Sequence, residues 1–398
     1  MKYHLFPILF LSLLACDEAT FVDPNTYTCT LTDPIDASSH PDDGLFRDLL
    51  LETLPLTTGA QMALTDSDGQ SWVGSVGYAD IANDIELAGC HRLMIASISK
   101  VVTATMVMQL QDEGILDIDD PLMMWIDNEL INPIENAREV SIRQLLNHTS
   151  GIRDYLEAEQ LFNTLNRSNF LETQREKLRY VYGESAYHAP GEDYTYSNTN
   201  YVLLGLVVER ARQMPLWEAV DQFIAEPLAL ERFGMGTEQN PIPDDVARPY
   251  LANPGGRYFN FIEQAVGDAA TGDGGIASNM QDLNGFMLAL FSGDIVSDEA
   301  LEEMTSNFQL LDEDEADFSR WPNEGYSLGV TRYNTDAGLA YGHTGLTSTY
   351  VSVSLYFPNT TAMVSISTNG IDLGNVDAFE DKSQEIVNDV NDAINDFL

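Results

Sequence analysis

The sequence predicts an α+β fold: an antiparallel sheet flanked by helices from the two ends of the chain, with a mostly helical stretch, about 101–310, inserted between its strands. Leu45, Phe46, Leu49, Leu50 and Leu54 recur at helical spacing near the start, as do Ile386, Val387, Val390, Ala393, Ile394 and Phe397 at the end. Between residues 326 and 367 the pattern changes to alternation, with Val351, Val353, Leu355 and Phe357 on one face of a strand. Strands gathered at both ends around a helical middle fit one sheet with helices packed on it.

In chain order, Lys2 and His4 precede an apolar run at 5–14, too short to span a bilayer and suited to a signal-peptide core. It closes in Leu13-Leu14-Ala15-Cys16, which resembles a bacterial lipobox. That resemblance implies removal of residues 1–15 and lipidation of Cys16. The chain would then sit in the cell envelope, on the periplasmic or extracellular face, touching the membrane through its lipid alone. Residues 16–41, rich in Asp, Pro and Ser, read as a tether, and 42–398 as one domain. With Cys16 lipidated, Cys29 and Cys90 remain as an even pair in an oxidising compartment, open either to a disulfide or to two buried thiols. After the first helix, 61–65 and 72–78 read as strands around a turn at Asp66-Ser67-Asp68-Gly69. Later strands are expected at 326–333, 339–343, 347–357 and 361–367.

Composition narrows the function. At 398 residues and 44% hydrophobic content the chain can bury a large core. Its 63 Asp and Glu against 19 Lys and Arg give a net charge of −44, which excludes nucleic acid as a partner because phosphate contacts need cations. The acidic run at 311–317 reads as solvated loop. His4, His40, His91, His148, His188 and His343 are scattered without metal-ligand spacing, so no metal is expected, and His148 reads as a structural hydrogen-bonding residue.

Three short motifs carry chemistry. Ser97-Ile98-Ser99-Lys100 opens the apolar run 101–108, a helix buried all round, with Lys100 one turn after Ser97 and able to reach its hydroxyl. Tyr196-Ser197-Asn198 stands at the entrance of a second apolar helix at 202–208. There a phenol near an ammonium can act as general base, and an amide offers a donor and an acceptor. His343-Thr344-Gly345 lies at a strand end, where a glycine lets a substrate backbone come close. Each motif alone equally fits an ordinary helix cap or turn.

In this order, and with the flanking segments Leu145-Leu146-Asn147-His148-Thr149-Ser150-Gly151-Ile152, Gly274-Gly275-Ile276-Ala277-Ser278 and Gly325-Tyr326-Ser327-Leu328-Gly329, the motifs resemble the penicillin-recognising serine hydrolases. That family comprises class C β-lactamases, D-alanyl-D-alanine carboxypeptidases and their esterase relatives. The resemblance implies a β-lactamase-like α+β fold and a serine hydrolase that needs no cofactor. It makes Ser97 the acylated nucleophile, Lys100 its activator, and Tyr196 the general base and later acid. Asn198 would contact the substrate amide, and His343, Thr344 and Gly345 would form the third wall. The backbone N–H groups of Ser97 and Leu346 would form the oxyanion hole.

The third motif begins with His, not the Lys of class C β-lactamases, which resembles the carboxypeptidase branch. On that reading the substrate is a small molecule or peptide such as a peptidoglycan stem peptide. An esterase, a β-lactamase or a non-catalytic binding protein are the alternatives. For a substrate carboxylate the candidate cations are His343 if protonated, Lys100 and Arg332, the last of which would point away if Thr331 takes the inward position.

Overall fold

The computed structural model describes residues 40–372, less 41, 55, 158–172, 237–244, 253–257, 261–270, 311–322 and 348, together with Asp381. Cys16, Cys29, the signal and tether, the acidic run at 311–317 and the terminal helix expected at 386–397 lie outside them. Among the described residues no helix is long and apolar enough to cross a membrane.

The first helix, α1, spans Asp43–Leu51 and buries Phe46, Leu49 and Leu50. Its apolar face is narrower than the spacing suggests: Leu45 is 43% exposed, and Leu54 falls beyond the helix end. Nine strands build the main sheet: β1 (Gly59–Thr65), β2 (Ser71–Asp80), β3 (Ile85–Glu86), β4 (Gln309–Leu310), β5 (Asn323–Tyr326), β6 (Thr331–Thr335), β7 (Gly338–Leu346), β8 (Val351–Phe357) and β9 (Ala362–Thr368). Their order is β3-β2-β1-β9-β8-β7-β6-β5-β4. Neighbours run antiparallel, and β1 pairs with β9, so the two ends of the domain meet at the sheet's centre.

The alternation in β8 works as expected. Val353, Leu355 and Phe357 join Phe46, Leu50, Met62, Leu64 and Trp72 in a core under α1. Trp72 also donates its indole N–H to Asp43 at 2.9 Å, fastening the start of α1 to the sheet. Serines occupy the opposite face, where Ser354 and Ser365 hydroxyls lie 2.7 Å apart. Small hydroxyl side chains there leave room for the helical part to approach closely.

The inserted stretch holds three longer helices: α2 (Ser99–Asp112), α3 (Asn198–Arg212) and α4 (Met280–Phe291). It is not helical throughout, since Leu93–Met94, Phe233–Met235 and Ile276–Ser278 form a small sheet of their own. α2 is buried on every side from Ser99 to Met108, and α2, α3 and α4 share the largest core. Some expected strand limits shift. The residues expected as one strand at 326–333 are divided between β5 and β6, with a reversal at 327–330, while β7 continues through His343-Thr344-Gly345 to Leu346. Thr347, Thr349 and Tyr350 are not in strand: Thr347 Oγ1 accepts from the backbone N–H groups of Thr349 and Tyr350 just before β8.

Candidate active site

Ser97 lies in a 3₁₀ turn, Ala96–Ile98, that runs straight into α2. In that tight winding residues three apart eclipse, which sets Lys100 above Ser97. Ser97 is not the N-cap residue of α2, so its hydroxyl is not spent on a cap. Ala96, just before it, holds φ at 49°, an uncommon conformation for a residue with a Cβ and one that recurs at functional sites.

Lys100 is fully buried, and its ammonium sits among three oxygens: Ser97 Oγ at 3.0 Å, Asn198 Oδ1 at 2.8 Å and the Asp273 carbonyl at 2.7 Å. Removing an ammonium from water costs several kcal/mol, and three short hydrogen bonds offset that cost. Above it lie the rings of Tyr196, 5.0 Å from Nζ, and Tyr201, 5.7 Å away. Tyr196 is half-buried and its ring lies tilted against His148, with centroids 4.3 Å apart.

The three motifs meet pairwise. Lys100 and Asn198 join the first to the second. Tyr196 and His343, with ring centroids 6.4 Å apart, bring together the second and third. The third reaches the first through Gly345. A Cβ added there would fall 2.3 Å from the Ile95 carbonyl oxygen and 3.1 Å from Ala96 Cβ, so only glycine lets β7 lie against the turn that carries Ser97. Ser352 of β8 donates to the same Ile95 carbonyl at 2.9 Å. Thr344 is buried beside Gly345, and Leu346 ends β7 with its side chain 42% exposed. Gly329, at φ +80°, allows a similar approach, because a Cβ would fall 2.4 Å from Ala104 of α2.

Asn198, expected to meet substrate, also joins Lys100 to the buried Asp154: its Oδ1 accepts from Lys100 at 2.8 Å and its amide N–H donates to Asp154 Oδ2 at 2.8 Å. Burial raises Asp154 to about 6, against the hydrogen bonds from Leu156 and Asn198 that favour its charge. His343 lacks the charge that one of the candidate readings needed of it. It is buried beneath Tyr326, bonded through Nδ1 to the Thr344 carbonyl, and held at about 3 by desolvation and by the Lys100 ammonium. It is therefore neutral at any working pH. Arg332 does point away, pairing with Glu324 at 3.4 Å and stacking over Phe308, while Thr331 is buried.

His148 is structural as expected: its Nδ1 accepts from the Ser197 backbone N–H at 3.2 Å, and burial holds it well below its ordinary range. Cys90 is disulfide-bonded, with its partner sulfur outside the described residues. No group of three metal-ligating side chains occurs among the described residues.

The sequence alone did not single out Asp154, Tyr155, Lys177, Tyr201 and Asp273, which are linked to Lys100 directly or through Asn198 and Asp273. Asp154 and Asp273 each sit beside a segment already singled out, 145–152 and 274–278, and that proximity is the signal that marks them.

A family model for Beta-lactamase matches residues 50–382. The chain belongs to the beta-lactamase family. Among curated relatives, Penicillin-binding protein 4* of Bacillus subtilis (strain 168) is 27% identical over 267 residues, 61% of this chain and 54% of that protein. The chain spans about half the length of that relative and less of others it matches. Among solved structures, a D-stereospecific amidohydrolase from Streptomyces sp. superposes with a TM-score of 0.70 at 26% identity, over 83% of this chain and 94% of that one. A D-amino acid amidase from Ochrobactrum anthropi SV3 shares the fold with a TM-score of 0.76 at 23% identity, over 89% and 99%. The family's β-lactamase-like α+β architecture is the one described above.

Proposed function

We propose that this chain hydrolyses amides by acylating Ser97, and that its substrate is a small amino-acid amide or ester lacking a free carboxylate on the leaving group. The observation that carries the reading is the Lys100 ammonium 3.0 Å from Ser97 Oγ, beneath the Tyr196 ring. Tyr196 takes the Ser97 proton as Oγ attacks the carbonyl carbon, and passes it to the leaving amine when the C–N bond breaks. The N–H groups of Ser97 and Leu346 hold the oxyanion between those steps. Water then attacks the ester carbonyl as Tyr196 removes its proton, and Tyr196 returns that proton to Ser97 Oγ as the ester C–O bond breaks and the acid leaves.

The neutral His343 is the reason to prefer an amide over a D-alanyl-D-alanine peptide. A carboxypeptidase benefits from a cation for the departing residue's carboxylate, and His343 cannot supply one. The likeness to a D-stereospecific amidohydrolase supports the same choice.

The test compares D-phenylalanine amide, L-phenylalanine amide, a D-Ala-D-Ala peptide, a short-chain ester and a penicillin, reading product release and intact mass. D-Phenylalanine amide is expected to turn over fastest. The ratio of peptide to amide rates is expected to stay constant from pH 5 to 9, because His343 does not titrate there. A peptide rate that exceeds the amide rate, or falls selectively as pH rises through 6 to 7, would restore the carboxypeptidase reading.

Envelope anchoring through Cys16 belongs to the same proposal. It is supported by Leu13-Leu14-Ala15-Cys16 and by the disulfide at Cys90, which needs an oxidising compartment. Cys16→Ser is expected to move the protein from the membrane fraction to the soluble fraction on cell fractionation. An unchanged membrane fraction would sink the lipid anchor.

A further inference from the structure

Behind Lys100 lies a second buried lysine that the acyl-transfer scheme does not use. Lys177 ends the short helix Gln174–Lys177, is 3% exposed, and donates to the Tyr155 hydroxyl at 3.0 Å and to Thr271 Oγ1 at 3.1 Å. Its Nζ stands 3.8 Å from Asp273 Oδ1. Tyr155 donates in turn to Asp273 Oδ2 at 2.7 Å. The backbone carbonyl of this same Asp273 is the one that receives a hydrogen bond from Lys100.

The segment around Asp273 is fastened to α2 on both sides. Thr103 donates to the Gly272 carbonyl at 2.8 Å, and Ile276 N–H donates to Ser99 Oγ at 3.1 Å. Two lysines therefore flank one buried carboxylate, the first through its backbone and the second through its side chain.

We propose that Lys177 is a positioning residue for Lys100: its ammonium neutralises the Asp273 carboxylate, so that Lys100 meets the carbonyl of Asp273 and stays on Ser97. A buried carboxylate stripped of its partner is costly and turns to the next cation within reach, which here is Lys100. The proposal rests on the acyl-transfer reading of the site. The two lysines act on Asp273 together and hold its carboxyl below the usual range despite burial.

Other groups face Lys100 among the described residues. His148 and His343 are held neutral by burial, Tyr196 and Tyr201 present their rings, and Asp154 stands behind Asn198. Tyr155 and Thr271 face Lys177.

The test measures the rate at which a fluorophosphonate labels Ser97, as a function of pH, by intact mass. Ser97 Oγ displaces fluoride from phosphorus, so the readout does not depend on knowing the substrate. Lys177→Met leaves a negative charge beside Lys100 and is expected to move the acidic limb of the profile up by about one pH unit or more. Asp273→Asn leaves an extra positive charge and should move it down. The double variant should return it to the wild-type position. These directions hold whether the limb belongs to Lys100 or to Tyr196, since each loses a proton and so gains negative charge.

A limb that stays put in both single variants, even with a lower rate, means a merely structural role and overturns the proposal. Should Lys177→Met not fold, the downward shift in Asp273→Asn and its cancellation in a folded double variant decide the matter. If neither Lys177 variant folds, an unmoved limb in Asp273→Asn still overturns it. Wild-type protein that takes no label overturns the acyl-transfer reading, and this inference with it.

Discussion

Ser97→Ala is expected to lower turnover by about 10⁴-fold or more and to abolish the acyl adduct, while the protein stays folded. The hydroxyl is the atom that bonds to the substrate, and none of the groups around it can replace it. Its structural part is small. Ser97 does not cap α2, and Lys100 keeps the Asn198 and Asp273 oxygens when Oγ is gone, so the loss of stability is about 1 kcal/mol. Turnover, intact mass and thermal unfolding of the variant check this together. Activity above a trace in a folded variant would place the nucleophile elsewhere.

Tyr196→Phe is expected to lower kcat by about a hundredfold or more, with little change in folding. The substitution removes one oxygen and leaves the ring, and the ring is what His148 and Lys100 hold. Loss confined to kcat would therefore report proton transfer and not a displaced side chain. A near-normal rate would pass the role of base to Lys100, the remaining titratable group on Ser97 Oγ.

How far the sequence could be read depended on the range of the interactions involved. Amphipathic spacing within α1 and alternation within β8 are properties of a few consecutive residues, and both elements form where the pattern places them. The continuation of β7 through the third motif was not legible. His343, Thr344 and Gly345 look like a turn in isolation, and they are held as strand by pairing with Ser354, Val353 and Ser352 of β8. Nor could spacing show the charge of His343, which follows from burial beside an ammonium contributed by a helix far away in the chain.

The sequence by itself determined which chemistry is available. A serine and a lysine three residues apart at the start of an apolar helix, with a tyrosine and a glycine-bearing motif downstream, resemble the family's motifs in their order and so imply a nucleophile, an activator and a base. Only the tertiary structure decided what surrounds them. Asn198 turns inward to Asp154, Asp273 offers Lys100 a carbonyl, and Lys177 comes to lie in the same buried cluster from a short helix whose sequence, Gln-Arg-Glu-Lys, reads as ordinary surface. Lys177 and Asp273 are 96 positions apart, as are many pairs in the chain that never meet, and no local pattern carries such a contact. A charge in this low-dielectric interior is set by its nearest neighbours in space, so the ionisation of the site is a property of the fold.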